Sequence, residues 1–74
     1  MKFYLNVCEN GRTYRDPIGA EFATLDIAKT EAVKSLGEML QPRPQEQAFA
    51  IIIEDAHARE MCMIELNLTI HNSN

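Results

Sequence analysis

Thr24-Leu-Asp-Ile-Ala-Lys-Thr-Glu-Ala-Val-Lys-Ser-Leu-Gly-Glu-Met-Leu40 reads as one amphipathic helix set between two pairs of strands. With Leu25 at zero and about 100° per residue, Ala28, Ala32, Leu36 and Met39 fall within about 60° of it. Val33 and Leu40 widen that apolar stripe on one side, and Asp26, Thr30, Glu31, Lys34, Gly37 and Glu38 fill the opposite arc. Ile27 is the exception, at about 200° among the charges. Thr24 is suited to the N-cap, where its hydroxyl accepts from an orphan amide of the first turn. Asp26 then sets negative charge at the positive end of the helix dipole. Gly37 costs about 1 kcal/mol relative to Ala and weakens the last turns. Gln41-Pro42-Arg43-Pro44 ends the helix, whose expected span is residues 25–40.

Upstream, Phe3, Leu5 and Val7 alternate with Tyr4, Asn6 and Cys8, the period of a half-buried strand over residues 2–9. Asn10-Gly11 follows, and both residues tolerate the positive φ of a type I′ hairpin turn. Closing a two-residue loop there pairs Glu9 with Arg12, Cys8 with Thr13 and Val7 with Tyr14. Val7 and Tyr14 then share the core face of Phe3 and Leu5. The second strand is expected over residues 12–16, ended by Asp16-Pro17-Ile18-Gly19.

Downstream, Gln45 to Gln47 form a polar linker. Phe49, Ile51 and Ile53 then alternate with Ala50, Ile52 and Glu54 in a third strand over residues 48–55. Both of its faces are partly apolar, which suits a central position. A fourth strand over residues 60–70 sets Cys62, Ile64, Leu66, Leu68 and Ile70 on one face. Met61, Met63, Glu65, Asn67 and Thr69 lie on the other. The joining turn centres on Ala56-His57 or His57-Ala58. Both choices match the core parity, so this register stays open. His71 to Asn74 reads as a frayed tail. The fold is therefore α+β, β-β-α-β-β, a single domain over residues 1–74. Its four-stranded antiparallel sheet has the order 2-1-3-4, with the helix on one face.

Seventy-four residues lie near the lower limit for a core that stands alone. The formal charge of −4, seven Lys plus Arg against eleven Asp plus Glu, argues against a nucleic-acid backbone as main partner. Cys8 and Cys62 lack the spacing of a zinc or thioredoxin-like motif. Strand parity points them to opposite faces, which disfavours a disulfide and leaves Cys62 as a small core hydrophobe. Met1 opens a strand-like pattern and not a signal peptide. The longest apolar run, Ala48 to Ile53, is too short to span a bilayer. A cytoplasmic protein with reduced thiols, free of membrane contact, is the expectation.

The chemistry-bearing residues form no constellation. His57 and His71 fall in a turn and a tail without acidic or thiol partners, so no metal site is expected. Ser35 and Ser73 lack a nucleophile elbow, and the glycines form no phosphate loop. Glu54-Asp55 is better read as turn chemistry than as a cation site. No catalytic residue and no cofactor are expected, and the chain is read as no enzyme. One feature rises above this background: Tyr4, Cys8, Ala50, Ile52, Met61 and Met63 collect on the sheet face away from the helix. A sheet covered on one side normally shows water a polar back face. Contiguous apolar groups there mark a protein contact, to which Met adapts well. The expected function is a non-enzymatic interaction or structural module, a homodimer or the small subunit of a larger protein. Self-association uses either this face or an exposed edge strand. A regulatory nucleic-acid-associated or antitoxin-like protein is the alternative, by fold analogy alone.

Phe3-Tyr4, Asp16-x-x-Gly19-x-Glu21-Phe22, then Leu25, Ala28 and Glu31-Ala32 resemble a family of very short bacterial proteins known only as a domain of unknown function. Its members open with an aromatic pair, continue through a D-x-x-G-x-E turn and enter a helix carrying L-x-x-A-x-x-E-A. The second hairpin matches more loosely, through Ile53, Asp55 and Arg59. Where members carry Asp-Gly in the second turn, this chain has His57-Ala58. The resemblance implies the fold and supplies no catalytic residues.

Overall fold

The Phe3–Val7 alternation builds β1, Lys2–Glu9, in the computed structural model of the chain, which describes residues 1–73. Asn10 and Gly11, at φ 49° and 88°, turn it into β2, Arg12–Tyr14, with the expected pairing of Val7 with Tyr14 and Glu9 with Arg12. A short strand that the sequence reading lacked, β3, Ala20–Glu21, pairs with β1 through Phe3 and Lys2. The helix α1, Leu25–Met39, follows, and β4, Gln47–Glu54, and β5, Glu60–Leu68, complete the molecule. The sheet runs β2-β1-β4-β5, with β3 as an addition beside β1. All pairings are antiparallel, so the α+β architecture is the one expected, and the strand order differs from expectation by the added β3.

Thr24 caps the helix through its hydroxyl, which accepts from the Ile27 amide at 3.2 Å. Ala28, Ala32 and Leu36 are fully buried against Phe3, Phe49, Ile51 and Ile53. The two alanines let α1 lie close to the sheet. Phe22 packs on Phe3 with ring centroids 6.4 Å apart, just before the helix begins.

The stripe is narrower than the sequence implies. Val33 is 56% exposed and Leu40 37%, because one helix spans roughly the width of two strands. It lies across β4 and β5, reaches β1 less and leaves β2 uncovered. Tyr14, expected in the core, is therefore 51% exposed despite its correct register.

Two further expectations need correction. The second strand stops at Tyr14, since Asp16 turns away to start the next loop. Gln47 is no linker residue: it opens β4 and is buried, with its amide accepting from Gln41 N and donating to Gln41 O at 2.9 Å each. The second hairpin turns at Asp55 to Ala58, with the Ala58 amide on Asp55 O and the Asp55 amide on Arg59 O, but its strands take the register centred on His57-Ala58. Ile51 faces Ile64 and Ile53 faces Cys62. A register shift then sets Glu54 opposite Glu60, leaving Met61 as the extra residue of a bulge. β5 ends at Leu68, and residues 69–73 have no regular structure. Of the expected tail, Asn74 lies outside the described residues.

Candidate functional site

The face away from α1 is built by the even-numbered residues of β1 and β4 and the odd-numbered ones of β5. Pairing sets Cys8 beside Ala50, and Ala50 beside Glu65. Asn6 lies beside Ile52, and Ile52 beside Met63. Tyr4 faces Glu54. Tyr4, Cys8, Ala50 and Ile52 are half-buried, while Met61 and Met63 are 44% and 51% exposed. All four of the paired apolar positions, Cys8, Ala50, Ile52 and Met63, thus join into one patch across three strands. Met61 extends it at the bulge.

A polar network at one end of this face was not legible in the sequence. Asn6 is only 4% exposed although it sits on the outer face. Its Nδ2 donates to Glu54 Oε1 at 2.8 Å, and its Oδ1 accepts from the Asp16 amide at 2.9 Å. The exposed Arg15 guanidinium approaches the same Glu54 oxygen at 3.6 Å. Both polar ends of Asn6 are therefore satisfied, as burial demands.

Asp16 explains why the loop runs this way. The odd-numbered residues of β1 turn their backbone groups towards β2 and β3, and between those two short strands Leu5 has no ladder partner. The Asp16 carboxylate takes that place: Oδ2 accepts from Leu5 N at 3.3 Å. Oδ1 accepts from Gly19 N at 2.9 Å and Ile18 N at 3.1 Å. The Gly19 amide does most to hold the Asp16 carboxyl below its ordinary pKa. Ile18 N, Leu5 N and the nearby Lys2 charge add to it, and partial burial opposes them. The Asp16-x-x-Gly19 spacing was the only signal in the sequence for this arrangement.

Across an open cleft of about 240 Å³ lined by Tyr4, Asn6, Arg15 and Glu54 lies the second hairpin turn. Asp55 forms that turn: its Oδ1 accepts from the amides of Arg59 and His57, and its Oδ2 from Arg59 Nε at 2.9 Å. These bonds, the Arg59 amide foremost, lower the Asp55 pKa. Its role is thus the turn chemistry expected of it. At the opposite end, Cys8, Ala50, Glu65 and Asn67 line a depression of about 200 Å³. Cys8 and Cys62 are both free thiols on opposite faces, with Cys8 Sγ 3.6 Å from Thr13 Oγ1. Among the described residues no group of three or more His, Cys, Asp or Glu is placed to hold a metal ion. None of the described helices is long and apolar enough to cross a membrane.

The family model of DUF6894, a domain of unknown function, matches residues 2–67, from the start of β1 almost to the end of β5. The chain belongs to this family. The match takes in every strand and the helix but for the last residue of β5, so the family unit and the fold described above coincide. No curated protein and no solved structure matches the chain. The family carries no assigned activity.

Proposed function

We propose that the chain is a non-enzymatic protein-interaction module that docks through the sheet face opposite α1, as a homodimer or as the small subunit of a larger assembly. The supporting observation is the exposure of Met61 and Met63 beside Ile52, on a face that water alone would keep polar. Burying one Met or Ile side chain contributes roughly 1.5–3 kcal/mol before the entropic cost of association. A few such groups suffice for a specific contact when polar groups orient it. Arg15 and Glu54 supply that polar rim at one end, and Glu65 interrupts the patch at the other.

Cross-linking in extract of the native host tests the reading with wild type and Ile52→Glu, which sets charge at the patch centre. The expected result is a defined complex with a host protein, formed by wild type and lost in a variant whose thermal unfolding is unchanged. Equal cross-linking by the two chains overturns the face as the docking surface.

A further inference from the structure

We propose that the partner includes a second copy of the chain, and that two copies join by pairing their β5 strands antiparallel about a two-fold axis. This rests on the interaction-module reading and assigns self-association to the β5 edge, leaving the back face for a different partner. The back face stays free in such a dimer and becomes continuous across it.

The two edges of the sheet differ. On the β1 side, β2 is three residues long, and the gap before β3 is filled by the Asp16 side chain and followed by Pro17. That edge is blunted. β5 is nine residues long, pairs among the described residues with β4 on one side only, and contains no Lys, Arg or Pro. Its charges, Glu60 and Glu65, do not point into the core, and the bulge at Met61 blunts only its first residues, which leaves Cys62 to Leu68 regular and open to further pairing. The regular stretch Cys62 to Leu68 presents an edge of about 23 Å.

The apolar side of β5 is also unfinished. Phe49, Ile51 and Ile53 of β4 are 0–3% exposed, whereas Cys62, Ile64, Leu66 and Leu68 all remain half-buried. A second β5 would continue this layer. The exposed flank of α1 points the same way. Val33 and Leu40 lie about 100° and 80° around the helix from the mean direction of Ala28, Ala32 and Leu36. The right-handed crossover expected from β3 through α1 to the parallel β4 puts β5 on that flank. Adding one more β5 at about 4.8 Å brings the two helix axes to about 10 Å, a normal packing distance, with Val33 and Leu40 between them.

The charges exclude one register and favour another. Centring the axis on Glu65 would set two carboxylates directly opposite each other, which is unfavourable. Centring it on Leu66 pairs Leu66 with its own copy and Ile64 with Leu68 of the second copy. Glu65 then meets Asn67, which can donate to it.

Light scattering after size exclusion, at high micromolar concentration, decides this with wild type, Val33→Glu and Ile52→Glu. Val33 is solvent-exposed, so its replacement leaves the monomer folded. The expected wild-type mass is twice the 8.4 kDa of one chain. Val33→Glu should weaken the dimer by about tenfold or more, while Ile52→Glu keeps it. Amides of β5 should exchange more slowly as concentration rises. A wild-type monomer overturns the proposal and leaves the docking face to the cross-linking result. A dimer lost in Ile52→Glu and kept in Val33→Glu overturns it too, and moves self-association to the back face. A dimer unaffected by either variant, with β5 amides insensitive to concentration, overturns it as well.

Discussion

Gly19 and Ala58 share a left-handed backbone, at φ 77° and 60°, and stand on opposite sides of its energetics. A Cβ on Gly19 would come within 3.0 Å of the Lys2 and Tyr4 side chains and 3.1 Å of the Phe3 carbonyl oxygen. Gly19→Ala should therefore destabilise the chain by about 1–3 kcal/mol. Ala58 already carries a Cβ in that conformation, held there by the Asp55 turn. Ala58→Gly should stabilise by about 0.5–1 kcal/mol, the left-handed strain relieved less the added entropy of the unfolded chain. Urea denaturation of both variants checks the opposite signs. Asp16 adds a pH dependence. Its folded pKa lies below the ordinary 3.8, so its stabilisation is present above that value and lost as pH falls through the lowered one. The unfolding midpoint should hold steady above about pH 5 and decline on further acidification. In Asp16→Asn the midpoint should be lower at neutral pH and the acid decline shallower, since of the two carboxyls with lowered pKa only Asp55 remains.

At the scale of the element, α1 is, among the described residues, what covers β4, β5 and part of β1 on the core face. Leu36 is 2% exposed and packs with Ala28 and Ala32 against β4 and β5. Leu36→Ala should cost about 2–5 kcal/mol, a large part of what so small a domain possesses. Lys34→Ala, on the solvent side of the same helix, should shift the urea midpoint little. Equal midpoints for the two would contradict the packing described. At the level of the strands, β1 shows why an edge can be interrupted without fraying. A carboxylate from the following loop stands in for the missing strand at Leu5, so β2 and β3 behave as one broken edge.

For the whole molecule the charge distribution makes a further prediction. The seven Lys and Arg are outnumbered by eleven Asp and Glu, and Arg15, Arg59 and Lys29 each lie beside a carboxylate. Association with nucleic acid draws on clustered, unneutralised positive charge. The purified protein should form no salt-dependent complex with duplex DNA or RNA at physiological ionic strength, as read by mobility shift. A sub-micromolar complex that weakens steeply with salt would restore the nucleic-acid reading in place of the interaction module.

Local rules sufficed for the elements. Asn10-Gly11 determines its turn and the Val7–Tyr14 register because only residues tolerant of positive φ close a two-residue hairpin. Thr24 and the Leu25–Met39 periodicity determine the helix and its buried face for the same local reason. The alternation in Phe49–Ile53 determines which side of β4 is core. Tertiary structure alone decided how far the helix reaches, and so left Tyr14, Val33 and Leu40 exposed despite their apolar positions. It also decided the burial of Asn6 and Gln47. Each is buried only because partners from distant segments, Glu54 and Asp16 for one and the Gln41 backbone for the other, satisfy it in space. Period-two parity records the direction of a side chain and carries no information on what will stand opposite it, so the polar end of the face emerged only when β1, the Asp16 loop and β4 were brought together.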